Sequence, residues 1–322
     1  MNVLEVEGVR IAAVFSELPA ESVEVAAELA RLTGDAAKAR AIVEATGIRT
    51  RRTAAAGTSA ADLCGAAAAR LLAAEDAWRG RIAAVVAVSF TEPRRMPAMS
   101  ARIAAGLGLA HEVITLDLSL ACSGYVHALY VAALLVRSTG GAVLLVDGDV
   151  QSPLLAEGDV STRAVLADAG TATLLVPAAD APAMEFSFLT RGEEGDALAY
   201  VSGGHITMDG FRVYRFVAEE VKALVADFLA ATALTAGDFA AFVPHQANVY
   251  MIRQLARSLG FADAALAVSA DTLGNSASAS VPVTLSRLDA ARRGRLLLAG
   301  FGGGLSAAVA AVTLDSAVVL GG

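Results

Sequence analysis

The chain has 322 residues, 56% of them hydrophobic, enough to bury one large core or two fused ones and too apolar for a disordered or fibrous protein. Its 25 basic and 33 acidic residues leave a net charge of -8 without a basic block, which argues against a nucleic-acid partner. Only two cysteines, Cys64 and Cys122, and no secretory pattern in Met1-Asn2-Val3-Leu4-Glu5 point to free thiols in a reducing cytoplasm.

Taken in order, Val9 to Phe15 reads as a strand and Ser22 to Ala45 as helical, broken at Gly34. The basic run Gly47-Ile48-Arg49-Thr50-Arg51-Arg52 reads as a solvated loop. Ala60 to Ala74 is an Ala- and Leu-rich helix with Cys64 in its packing face, and Ile82 to Phe90 is an apolar strand. A loop through Met96 and Pro97 leads to a helix over Ser100 to Leu107. Val113 to Leu120 reads as a buried strand, Gly124 to Val136 as a helix, and Ala142 to Val146 and Ala172 to Val176 as strands around the loop Gln151 to Ser161.

The second half repeats the scheme. A long helix runs from about Gly210 to Ala230, followed by a strand over Phe239 to Val243, a helix over Ala247 to Leu259, a short strand over Leu266 to Ser269 and a helix over Ser278 to Ala291. The uncharged run from Leu296 to Leu314 is long enough to cross a bilayer, but Gly300, Gly302, Gly303 and Gly304 within it favour two buried strands around a loop. No membrane span is expected. Alternating strands and helices imply parallel sheet covered by helices on both faces, in two similar halves, 1–178 and 179–322.

Cys122 falls where a strand turns into a helix. There the first N–H groups of the helix lack internal partners, so they can stabilise a thiolate and hydrogen-bond an oxyanion. His245 follows a strand and precedes a helix at the corresponding point of the second half, which suggests an internal duplication with the site between the halves.

Ala121-Cys122-Ser123-Gly124, Val243-Pro244-His245-Gln246-Ala247-Asn248, Gly274-Asn275-Ser276-Ala277-Ser278 and Ala299-Gly300-Phe301-Gly302-Gly303-Gly304 stand together. With Thr46-Gly47-Ile48-Arg49, Leu166-Ala167-Asp168-Ala169-Gly170 and Thr207-Met208-Asp209-Gly210, they resemble the β-ketoacyl-acyl carrier protein synthase III family of the thiolase superfamily. The resemblance covers nearly the whole chain. It implies a five-layered αβαβα sandwich, a homodimer, and an enzyme without cofactor or metal.

By the same resemblance Cys122 takes an acyl group from a thioester, and its own N–H with that of Gly303 forms the oxyanion hole. His245 and Asn275 stabilise the enolate left when a malonyl thioester loses carbon dioxide. Met96, Leu166 and Phe301 line the acyl tunnel, Met96 from across the dimer. A biosynthetic thiolase would carry a second cysteine in the last glycine loop, and an elongating synthase a second histidine where Asn275 stands. His111, His127 and His205 match no catalytic role and are expected to be structural.

Coenzyme A-primed members clamp the nucleotide with a tryptophan and arginines at the places held here by Ala41, Ala45, Val160 and Tyr250. Arginine contacts to phosphate are not replaceable by apolar side chains. A basic face at Arg215, Arg253 and Arg257 is expected to dock an acidic acyl carrier protein instead. The alternatives are a specialised-metabolism synthase or acyltransferase that joins carrier-bound chains or acylates a small nucleophile without malonate, and a silent partner subunit.

Overall fold

The computed structural model describes residues 2–322. Two sheets lie back to back around a central pair of helices. The six-stranded sheet runs in the order Val319–Gly321, Val9–Glu17, Ala169–Pro177, Ala142–Asp149, Ile82–Val88 and Ile114–Leu118. The five-stranded sheet runs Leu4–Val6, Met184–Thr190, Ser306–Leu314, Gly294–Gly302 and Ala241–Pro244. The first strand of the chain thus completes the second sheet and the last strand completes the first, tying the two sheets together at both termini.

Between the sheets lie the helices Gly124–Thr139 and Ser280–Ser286, whose buried faces join a core fed by both, including Tyr125, Leu129, Val281 and Leu285. The outer face of the six-stranded sheet is covered by Ala60–Ala74 and Met99–Gly106. Lys222–Ala231 and Val249–Ser258 cover the outer face of the other sheet. These are the five αβαβα layers. Sheets shielded on both faces explain why Ala142–Asp149 is buried at every residue and why its first five residues read as an apolar run.

Several expectations are corrected. The sheets are mixed: Ala169–Pro177 runs antiparallel to both its neighbours, because residues 150–168 return the chain beside Ala142–Asp149 without a crossover helix that spans the sheet. Ser22 lies in the strand Glu21–Glu24, which pairs antiparallel with Thr50–Thr53 across the two intervening helices, so the basic run ends in a paired strand rather than a loop. Arg51 is buried there because Glu28 meets it in a two-pronged ion pair at 2.7 and 2.9 Å.

Leu266 to Ser269 holds only an isolated bridge from Leu266 to Phe242, and the helix expected over Ser278 to Ala291 spans only Ser280–Ser286. The long helix from Gly210 contains a π turn at Val217–Val221. Ile114–Leu118 is an edge strand, not a buried one, with Ile114 45% and Leu116 38% exposed. Asp117 within it accepts hydrogen bonds from the N–H groups of Met99 (2.7 Å) and Ser100 (2.9 Å), fixing the start of the neighbouring helix.

The uncharged C-terminal run forms the antiparallel pair Gly294–Gly302 and Ser306–Leu314. Among the described residues no helix is long and apolar enough to cross a membrane.

Candidate active site

One cavity of about 420 Å³ brings together Cys122, His245, Asn275, Phe301 and Gly303, which lie far apart in sequence. Cys122 sits two residues before the helix Gly124–Thr139, and the glycine loop joining the last two long strands passes over it. A Cβ on Gly302 would stand 2.7 Å from Cys122 Cβ and 2.9 Å from its Sγ, and the φ of 153° also suits only glycine. The loop therefore touches the sulfur because residue 302 has no side chain.

The loop is held by a short chain of hydroxyls. Ser123 Oγ and Ser306 Oγ are 2.7 Å apart, and Ser306 donates to the Gly303 carbonyl at 2.9 Å. The N–H groups of Gly303 and of Cys122 itself reach Sγ and favour the thiolate. Burial acts the other way and dominates, with the charge of Asp149 adding to it, so the thiol is pushed up to about 12. The resting residue is a neutral thiol beneath two convergent N–H donors, not the standing thiolate that its place before a helix suggests.

His245 directly follows the strand Ala241–Pro244 and packs edge-on against Phe301, ring centroids 5.3 Å apart. Its Nδ1 lies 2.8 Å from Ser280 Oγ, which also accepts from the Gln246 N–H at 3.1 Å. Where the serine donates its hydrogen to Nδ1, the imidazole proton is left on Nε2. Burial pushes the imidazole down to about 4, partly offset by a backbone hydrogen bond with Ala277, so the ring is neutral at physiological pH.

Asn275 lies on the loop before Ser280 and is fixed by its backbone. Its N–H donates to Val165 at 2.8 Å and its carbonyl accepts from Ala167 N–H at 2.8 Å. Its side-chain Nδ2 donates to the Ala247 carbonyl at 3.3 Å, and its Oδ1 accepts from the Ala277 N–H at 3.0 Å. Directly after Ala277, Ser278 anchors the segment to the strand Ala142–Asp149 by donating to the buried carboxyl group of Asp147 at 2.6 Å.

Leu166 and Phe301 line the cavity, whereas Met96 is 86% exposed and does not reach it within its own chain. Of the three arginines expected to form a basic face, Arg215 is paired with Glu194 (3.3 Å) and Arg257 with Asp263 (2.9 Å). Arg253 is exposed and makes no ion pair among the described residues. Ala41, Ala45 and Tyr250 are exposed, on the helices Ala36–Thr46 and Val249–Ser258. His127 Nδ1 lies 3.0 Å from the Ser123 carbonyl and its ring packs on Phe188, as a structural residue would.

Ser280, Ser306 and Gln151 were not singled out by sequence reasoning. Ser280 and Ser306 stand in or beside quoted motifs, but a serine in a Ser/Ala-rich loop carries no signal of which way it points. Gln151 carried one available signal, a long amide two residues past a strand that begins as an apolar run.

The family model of 3-oxoacyl-[acyl-carrier-protein] synthase III matches residues 116–192, and that of its C-terminal part matches residues 229–314. The acetoacetyl CoA synthase NphT7 of Streptomyces sp. (strain CL190) is 31% identical, over 84% of this chain and 89% of its own. The chain belongs to the 3-oxoacyl-[acyl-carrier-protein] synthase III family. Among solved structures, a 3-oxoacyl-(acyl-carrier protein) synthase from Burkholderia xenovorans LB400 superposes with a TM-score of 0.95 at 31% identity, covering 99% of this chain and 98% of that one. The priming β-ketosynthase of the R1128 polyketide pathway gives 0.86 at 32% identity, with 98% of each chain covered. The fold is the thiolase fold, and the protein is a condensing acyltransferase of the synthase III type.

Proposed function

We propose that this synthase III loads an acyl group from a carrier-bound thioester onto Cys122 and condenses it with a malonyl-carrier thioester to give a β-ketoacyl thioester. The observation that carries the reading is the single cavity in which Cys122 Sγ, two converging N–H groups, a neutral His245 and the Asn275 side chain meet.

In the loading step Sγ attacks the thioester carbonyl. A carbon–sulfur bond to Cys122 forms, the bond to the carrier breaks, and the carrier sulfur leaves with the cysteine proton. The N–H groups of Cys122 and Gly303 face the oxyanion of the tetrahedral intermediate. In the condensation the malonyl carbon–carboxylate bond breaks, carbon dioxide leaves, and the electron pair passes into an enolate. Its oxygen is stabilised by Nε2–H of His245 and the amide of Asn275. A neutral imidazole suits that role, since it donates without giving up its proton. The enolate carbon then attacks the acyl carbonyl, and Sγ leaves.

The donor is acyl carrier protein rather than coenzyme A, because Ala41, Ala45, Val160 and Tyr250 supply no cation for nucleotide phosphates. Arg253, exposed and without an ion pair of its own among the described residues, is the centre of the docking face, together with Arg215 and Arg257. The two halves, 1–178 and 179–322, each present one side of the site. The enzyme works as a cytoplasmic homodimer: the exposed edge strand Ile114–Leu118 and the exposed Met96 offer apolar surface for a second copy, with Met96 entering the partner's acyl compartment. A specialised-metabolism role is supported by the similarity to a polyketide priming synthase.

The test is Cys122 acylation followed by intact mass, with one acyl group offered on carrier protein and on coenzyme A, then malonyl carrier protein. Faster loading from the carrier, slowed by salt and by Arg253→Glu, is expected. A preference for the coenzyme A thioester would overturn the donor assignment, and an acylated enzyme that leaves malonyl carrier protein intact would favour transfer without malonate.

A further inference from the structure

Gln151 lies two residues beyond the strand Ala142–Asp149, is 2% exposed, and lines the cavity that holds Cys122. Its side-chain nitrogen stands between two backbone carbonyls, 2.7 Å from that of Ala167 and 3.0 Å from that of Asn275. Two acceptors fix which way the amide points: an oxygen in that place would face two other oxygens, so the NH₂ must be there and Oε1 on the opposite side. No described residue donates to Oε1, and it is not sealed within the protein but opens on the cavity.

Gln246 shows what a completed amide looks like in the same chain. Its nitrogen donates to Pro244 (2.8 Å) and Ala267 (3.1 Å), and its oxygen accepts from the N–H groups of Ser269 (2.9 Å) and Ala270 (3.2 Å). Gln151 has the first pair of bonds and not the second. Its oxygen opens on a cavity whose lining includes the apolar Phe90, Val165 and Leu166 as well as the polar Thr162 and Ser202, and there a buried acceptor without a donor is unfavourable and one with a donor is selective.

The kind of donor follows from the rest of the lining. No aspartate or glutamate touches the cavity, so a substrate ammonium would find no counter-charge, whereas a neutral hydroxyl needs none. Position along the substrate follows from its neighbours: Gln151 donates to the Asn275 carbonyl and lines the same cavity as Cys122, which places it beside the reacting thioester rather than at the surface.

We propose that Gln151 is a specificity-determining residue that accepts a hydrogen bond from a hydroxyl on the acyl chain, so that the preferred acyl group is a hydroxyacyl. This rests on the loading of Cys122 set out above. A site built to bond a hydroxyl discriminates against the chain that lacks it, because the buried acceptor is then left unpaired.

The experiment compares acyl groups of equal length on the same carrier protein, unsubstituted or with one hydroxyl at successive carbons, by the rate at which Cys122 gains the adduct mass. Because the carrier arm is common to all, contacts to the arm cancel. One hydroxylated isomer is expected to load about five- to tenfold faster than the plain chain, the size of one hydrogen bond. Gln151→Leu should invert that ratio; Gln151→Met, similar in length and equally apolar, serves if the leucine variant does not fold. A plain chain preferred by the parent enzyme, or a ratio unchanged in both variants, overturns the inference. Equal slowing of both series would reassign Gln151 to holding the Asn275 loop and would also overturn it. No adduct from any thioester would remove the loading reading itself.

Discussion

Cys64 and Cys122 are the same residue at nearly the same burial, 0% and 8% exposed, and burial raises the pKa of both thiols. Their surroundings differ in one respect that matters. Cys64 lies mid-helix in Ala60–Ala74 and is sealed by backbone: a Cβ on Gly148 would come within 2.5 Å of its Sγ, and one on Gly170 within 2.5 Å of its N. Cys122 faces a cavity large enough for a substrate and is met by two N–H groups. Fractional exposure does not separate them. What separates a packing cysteine from a nucleophile here is whether the space beside the sulfur is filled or shaped.

The largest effect expected is a complete split between the two. Cys122→Ala should abolish the acyl adduct. Cys64→Ala should keep transfer within about twofold while lowering stability by roughly 1 kcal/mol, the scale of a small core deletion. Adduct formation by intact mass and thermal unfolding read the two properties separately; an acylated Cys122→Ala protein would erase the distinction.

Next come the residues around the cavity. His245→Ala and Asn275→Ala are expected to load acyl groups while losing about 10²–10³ in malonyl decarboxylation, the usual loss for one oxyanion donor. The parent decarboxylation should not lose its histidine to protonation until the pH falls to about 4, where the buried imidazole becomes charged. A profile that falls near pH 6.5, the ordinary range for histidine, would mean that His245 is solvated in the working enzyme.

The glycines give a matched pair of smaller perturbations. Gly302→Ala should reduce acylation, because the new methyl lands within 2.7 Å of Cys122 Cβ, with little change in unfolding. Gly148→Ala should do the reverse, costing about 1–3 kcal/mol of stability by overpacking Cys64 while the cavity is untouched. Similar losses of both properties in both variants would show that the two cysteines are mechanically coupled.

How much of this was legible in the sequence divides along the same line. Cys122 could be read from its place where a strand turns into a helix, and His245 and Asn275 from the motifs shared with the family the chain resembles; one cavity holds all three. The long buried strands could be read from unbroken apolar runs. The edge strand Ile114–Leu118 could not, since a strand with an exposed side uses the same residues as a buried one until its neighbours are known. The strand Thr50–Thr53 was hidden for a related reason: Arg51 looks solvated until Glu28, 23 residues earlier, is brought to it. The neutral state of the Cys122 thiol was also out of reach, because the helix start is visible in sequence, whereas the burial that dominates and the charge of Asp149 that adds to it are not.

The smallest effect tests that last contribution. Asp149 is buried at the end of its strand, and its Oδ1 accepts from Ser89 Oγ (2.9 Å), Thr91 Oγ1 (2.9 Å) and the N–H groups of Phe90 (3.0 Å) and Thr91 (3.1 Å). Burial outweighs these four bonds and raises its pKa to about 7. A raised carboxylate holds its proton more tightly in the folded than in the unfolded state. Its contribution to stability is therefore full below the unfolded value near 3.8 and is lost as the pH rises through about 7. Over that range Asp149 also gains the charge that opposes the Cys122 thiolate. Iodoacetamide labelling of Cys122 in the parent should accordingly rise with pH without a plateau below about 10, since the thiol titrates near 12. Asp149→Asn keeps an oxygen for the four donors and never becomes charged. It should label at the parent rate at pH 6, where the parent carboxyl is mostly protonated, and up to about tenfold faster at pH 8.5, the effect of one unit on the thiolate fraction. Its unfolding temperature should gain on the parent between the same two pH values. Identical labelling curves would mean that the charge on Asp149 is screened from the sulfur, leaving burial and the two N–H groups to set the thiol alone.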